Sequence, residues 1–183
     1  MSDRTWQVLE SANIFDHPWY VVRRDVIAFP DGRVDDYLVS VRPEVAIVVP
    51  IDIDGQVILV EQYKHGAGVR TLEFPAGTFR DEDAETAAAR ELREETGFEA
   101  GHCVRLGQCF DDATKNSNSV HLFLATGCHR VGSATLDANE RAADLKTVRL
   151  SIDAMKQALA DGRISTLSSI AAGYRALDQL SCG

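Results

Sequence analysis

The sequence predicts an α/β protein: a mixed-sheet α/β sandwich preceded by an N-terminal antiparallel β-hairpin. Two turn signals, Pro30-Asp31-Gly32 and Asp54-Gly55, each lie between apolar, β-branched runs. An alanine-rich segment, "FPAGTFRDEDAETAAARELREETGF", has helical periodicity. Strands and helices do not alternate regularly, which disfavours a single parallel, doubly wound sheet.

The elements follow in chain order. Residues 19–29 and 33–41 flank the first turn and form the hairpin. Residues 45–51 and 56–63 flank the second. The helix is expected from about Ala84 to Glu95, with Asp81 or Asp83 as N-cap and Gly97 just past its end. Further strands are expected near 103–110, 120–126 and 145–150. A helix over 151–162 has Ser151 as cap and Gly162 as stop. A last helix, 166–180, carries Leu167, Ile170, Ala171, Tyr174, Leu177 and Leu180 near helical spacing. We divide the chain into a hairpin segment, 1–43, and a main domain, 44–183.

Composition narrows the function. The 183 residues are 45% hydrophobic and 26% charged, enough for one globular core. Net charge is -9 without a basic tract, which argues against polymeric nucleic acid as a partner. No apolar run approaches the roughly 18 residues that span a membrane. The polar start MSDRTWQVLE lacks an export pattern. A soluble cytoplasmic protein that does not engage membranes is expected. Cys103, Cys109, Cys128 and Cys182 are scattered and suit reduced thiols rather than a disulfide frame or a zinc site.

The helix poses a question of charge. About 100° apart per residue, Ala84, Ala88 and Leu92 form its apolar stripe. Glu91 and Glu95 fall on the edge of that stripe, with Glu94 on the flank beside Glu91. Like charges at this spacing repel, and partly buried they are costly or become protonated. A divalent cation resolves the conflict, since Mg²⁺ and Mn²⁺ favour oxygen ligands. The plainer alternative is a solvated helix whose glutamates pair with Arg90 and Arg93; an Arg90–Glu94 pair is expected on either reading.

The segment resembles the Nudix box. Arg90-Glu91-Leu92-Arg93-Glu94-Glu95-Thr96-Gly97-Phe98 matches the second half of that signature, and seven residues separate Glu82 from Arg90 as it requires. The departure is at the start: only four residues separate Gly77 from Glu82, and Ala76 stands at the formal glycine position. The loop is one residue short. The stretch VILVEQYKHGAGVRTLEFPAG (57–77) and the acidic LDANE (136–140) are similar to the ADP-ribose and nucleoside-diphosphate-sugar pyrophosphatase branch of the family.

The resemblance implies the Nudix α/β/α sandwich and a homodimer in which the hairpin contributes to the site. It also implies Mg²⁺- or Mn²⁺-dependent hydrolysis of ADP-ribose or a related nucleoside diphosphate sugar. Triphosphate or dinucleotide hydrolysis, or a nucleotide sensor without turnover, are the alternatives. Carried over by position, Glu91 and Glu95 are metal ligands, Glu94 shares that role or acts through water, and the Ala76 carbonyl adds a contact. Arg90 orients the glutamates, and Glu140 is the candidate general base, or else an exposed loop acid. Lys64 is placed to reach the diphosphate, with Arg70 and Arg80 as weaker candidates. Gln62 binds ligand or faces solvent; Glu73 assists the site or caps a loop. Trp19 stacks on the base or packs in an interface. The polar stretch 111–119 is either a specificity loop or simply exposed.

Overall fold

A computed structural model of the chain describes residues 5–182. It comprises two compact units: one runs up to Pro43 and includes Phe110–Asn118, the other takes Glu44–Cys109 and the chain from Ser119 onward.

The first unit is a three-stranded antiparallel sheet, β1 (Gln7–His17), β2 (Tyr20–Ala28) and β3 (Val34–Val41), in that spatial order. The expected hairpin is β2–β3, in register from Val21 opposite Val41 to Ala28 opposite Val34. Its turn closes through Gly32, whose left-handed φ of 85° suits a residue without a Cβ. Strand β1 is a correction to the two-stranded expectation. Its pairing with β2 shifts between Val8 and Glu10 and again between Asn13 and Phe15. Bulges at Leu9 and Ile14 break the alternation of two by which a strand is read from sequence. The stretch 111–119 is not a free loop: Ser40 N–H donates to Lys115 O at 2.7 Å and Ser117 N–H to Ser40 O at 3.0 Å. These bonds tie it to β3.

The second unit is built on β4 (Glu44–Asp52), β5 (Gln56–Lys64), β6 (Val69–Glu73), β7 (Ala76–Phe79), α1 (Ala84–Thr96) and β8 (Phe98–Glu99). It continues with β9 (His102–Cys109), β10 (Val120–Arg130), α2 (Ala138–Ala142), β11 (Lys146–Ser151), α3 (Ile152–Ala160) and α4 (Leu167–Ser181). The sheet runs β11-β5-β4-β10-β8, with β6 beside β5, β7 beside β4 and β9 beside β10. Only β4 and β10 run parallel among neighbours otherwise antiparallel, so the sheet is mixed as expected.

Strand β4 explains the layering. Its near-continuous apolar run is buried on both faces. Ile47, Val49 and Ile51 pack with Met155, Leu159 and Ala172 of α3 and α4. Ala46 and Val48 pack on the other side with Ala87, Ala88 and Leu92 of α1. Burying Leu92 contributes about 1.5–3 kcal/mol and fixes which face of α1 turns inward. The result is an α/β/α sandwich. Strands β4 and β5 pair at Ile51–Val57 and then part, β4 taking β7 as its partner and β5 taking β6. No helix among the described residues is long and apolar enough to cross a membrane.

Candidate active site

Helix α1 is capped as its sequence dictates. The Asp83 carboxylate accepts from Glu85 N–H and Thr86 N–H at 3.0 and 2.9 Å. Gly97 closes the helix in the left-handed region at φ 76°, its N–H bonded to Arg93 O. With Ala87, Ala88 and Leu92 turned inward, the period of 3.6 carries Glu91 and Glu95 to the buried edge. They are 7% and 3% exposed.

Arg90 is the hub of the outer edge. Its guanidinium donates to Glu82 at 2.8 Å, Glu91 at 2.7 Å and Glu94 at 3.0 Å, and to the Thr78 carbonyl at 3.3 Å. The expected Arg90–Glu94 pair is therefore present within a larger network. Glu82, which follows the shortened loop, is an anchor for Arg90. Hydrogen bonds and charge from these carboxylates raise the Arg90 pKa, so it stays a fixed cation.

Glu95 makes no ion pair with a cation among the described residues. Ala76 N–H donates to its Oε2 at 3.1 Å. Burial, reinforced by the neighbouring Glu91 charge, pushes its carboxyl well above the usual range. Burial also raises Glu91, opposed by Arg90. Glu140, on α2, completes the group: one oxygen from each of Glu91, Glu95 and Glu140 lies within 4.8 Å of the others. Three acidic oxygens in so small a volume, two on buried side chains, match the hard-oxygen donor set of a divalent cation. The residues fit such an ion. Glu94 is not part of the group; it is half-exposed and held by Arg90.

The remaining candidates come from β5 and β6. Gln62 is buried, and with Tyr63, His65, Asn139 and Glu140 it lines a cavity of about 410 Å³. Lys64 Nζ pairs with Glu73 Oε2 at 3.2 Å. Glu73 is 7% exposed, and its Oε1 has no hydrogen-bond partner among the described residues. Arg70 is drawn away to Glu61 and Asp144, each at 3.5 Å. Arg80 is exposed just past β7. Trp19 lies in the β1–β2 turn of the first unit, 80% exposed.

Two features were not read from the sequence. Gly77 lies so close to Glu91 that a Cβ there would overlap its carboxylate. Asp137 caps α2 and forms a reciprocal capping box with Glu140. The Asp-x-x-Glu spacing of LDANE signals such a box, although no apolar run follows it.

Comparison with known proteins bears on this arrangement. The NUDIX domain model matches residues 41–167, and the model of the nucleoside diphosphate sugar hydrolase N-terminal domain matches residues 6–40. An ADP-ribose pyrophosphatase of Mycobacterium tuberculosis is 30% identical over 147 residues, covering 79% of this chain and 70% of that protein. A methanol dehydrogenase activator of Bacillus methanolicus is 26% identical over 86% of this chain and 85% of its own. Among solved structures, that of an ADP compounds hydrolase superposes with a TM-score of 0.83 at 24% identity, over 97% of this chain and 95% of that one. That likeness is one of fold.

Proposed function

Because the chain belongs to the Nudix hydrolase family, we propose that it hydrolyses the diphosphate of ADP-ribose or a related nucleoside diphosphate sugar. Water attacks one phosphorus, the bond to the bridging oxygen breaks, and a nucleoside monophosphate and a sugar phosphate leave. The observation that carries this reading is the approach of Glu91, Glu95 and Glu140 to within 4.8 Å on the signature helix and the acidic segment. The ADP-ribose pyrophosphatase of Mycobacterium tuberculosis, 30% identical to this chain, supports the substrate class.

Glu91 and Glu95 would hold Mg²⁺ or Mn²⁺ with the Ala76 carbonyl, and Glu94, outside the group, would act through water. Bound there, such an ion supplies Lewis-acid neutralisation of the diphosphate's negative oxygens, which otherwise repel a nucleophile. Glu140 accepts the proton of the attacking water, the role of a general base within hydrogen-bond reach. Arg90 keeps Glu91 and Glu94 oriented through its two short bonds. Lys64 neutralises a diphosphate oxygen, and the buried Glu73 holds its ammonium in place. Gln62, on the cavity wall beside Glu140, donates to the sugar-phosphate side of the ligand. Arg80 is a second cation near the end of β7 for the same anion.

Substrate choice is read from products across a panel of nucleoside diphosphate sugars, dinucleotides and nucleoside triphosphates. The expected result is preference for ADP-ribose or another nucleoside diphosphate sugar. Strong preference for a triphosphate, with pyrophosphate released, would overturn the substrate assignment.

The proposal includes a cytoplasmic homodimer in which residues 1–43 act as a segment of assembly and base contact. Trp6, Leu9, Ile14, Phe15, Trp19 and Leu38 are all exposed in the first unit, apolar side chains that a second copy could cover. Sedimentation of the full chain should give about twice the monomer mass, as for a closed two-fold pair. Trp19→Ala should then weaken substrate binding and leave the dimer intact. A fully active monomer at high concentration would contradict this part.

A further inference from the structure

We propose that Asp137 is a positioning residue, which holds the Glu140 carboxylate where it meets Glu91 and Glu95. The inference rests on the role given to Glu140 above and on the place of its carboxylate in the three-oxygen group, where it adds negative charge for a cation. Glu140 is the third residue of α2, and Asp137 is the N-cap. Asp137 Oδ1 accepts from Glu140 N–H at 2.8 Å, and Glu140 Oε2 accepts from Asp137 N–H at 2.6 Å.

In most helices a capping box satisfies orphan donors at the start of an element that buries an apolar face. Helix α2 has five residues and buries none of them. A helix that short has no stability of its own. What the box fixes here is the side chain of Glu140. The same conformer places a Glu140 oxygen within 4.8 Å of oxygens on Glu91 and Glu95. Repulsion from those two carboxylates would push a free glutamate toward solvent. Two reciprocal hydrogen bonds, each accepted by a carboxylate oxygen, oppose that drift.

The backbone on the far side of Glu140 is anchored separately. Leu145 N–H donates to Glu140 O at 3.1 Å, and Tyr63 N–H of β5 donates to Ala143 O at 3.0 Å. Asp144 turns the chain at φ 52°, and Arg70 of β6 donates to its carbonyl at 3.1 Å. The segment's course is therefore set by β5 and β6, and Asp137 sets the rotamer of Glu140.

The test compares wild type, Asp137→Ala, Asp137→Asn and Glu140→Gln as full chains. Mn²⁺ alone is titrated into each without nucleotide, with free ion followed by its paramagnetic resonance; kcat and KM for ADP-ribose are measured separately. Asp137→Ala should weaken Mn²⁺ binding and lower kcat, each by about 10-fold, with KM little changed. Asp137→Asn should stay near wild type in both, because its side-chain oxygen accepts the same N–H. Wild-type behaviour of Asp137→Ala would overturn the inference. So would an Asn variant as impaired as the Ala variant, since charge rather than the cap would then matter. If Glu140→Gln itself behaves as wild type, the role of Glu140 fails and takes the inference with it. A damaged Glu140→Gln beside an unaffected Asp137→Ala removes Asp137 alone.

Discussion

Glu95→Gln should lower turnover at least about 100-fold while leaving the fold intact. The side chain is 3% exposed, so the near-isosteric amide retains the packing around it. Its remaining carbonyl oxygen still accepts from Ala76 N–H, as the Glu95 carboxylate does. What disappears is a buried negative charge that burial and Glu91 both disfavour. A site that binds no cation has no use for that charge, and its loss would be harmless or stabilising. The expected pair of results is therefore a thermal midpoint unchanged or raised, and activity nearly abolished. Near-normal turnover in the same variant would remove Glu95 from the site.

The second large effect comes from a residue with no side chain. Gly77 lies at the second position of β7, and an added Cβ would overlap Oε1, Oε2 and the carboxyl carbon of Glu91. Its φ is not in the left-handed region, so alanine imposes no backbone strain there. The obstruction is the far end of a flexible side chain, which can swing aside. Gly77→Ala should thus fold normally while expelling Glu91 from its place beside Glu95 and Glu140. Turnover should fall by about 10–100-fold, and the concentration of Mg²⁺ needed for half activity should rise. The double variant Gly77→Ala/Glu91→Gln should be no worse than Glu91→Gln alone, because both act through one carboxylate. Additive losses would show that Gly77 matters for another reason.

These residues differ in how far the sequence exposed them. The caps of α1 and the inward turn of Ala88 and Leu92 follow from local spacing; the structure selects Asp83 as the cap and buries Ala87 beside them, with Ala84 only partly buried. The hairpin β2–β3 was equally legible, since its turn and alternation are local. Strand β1 was hidden because two bulges break its period. Helix α2 is not legible in the sequence, because its five residues bury nothing and leave no periodic trace. The Glu82–Arg90 bond crosses the turn before α1, and the shortened loop obscured it. The meeting of Glu140 with Glu91 and Glu95 depends on β5, β6 and the tethered acidic segment. Only resemblance to a family pointed to it. The contact of Gly77 with Glu91 is set by how β7 lies on α1, which spacing along the chain does not encode.

The central claim is that the Glu91, Glu95 and Glu140 centre turns over a nucleoside diphosphate rather than merely binding one. Incubation of the purified full chain with ADP-ribose, with Mg²⁺ or Mn²⁺ and again with chelator, tests it by direct identification of phosphorylated products. The account predicts AMP and ribose 5-phosphate in equal amounts with either cation, and neither product with chelator. Saturable binding of ADP-ribose with no phosphorylated product under any metal condition would contradict it.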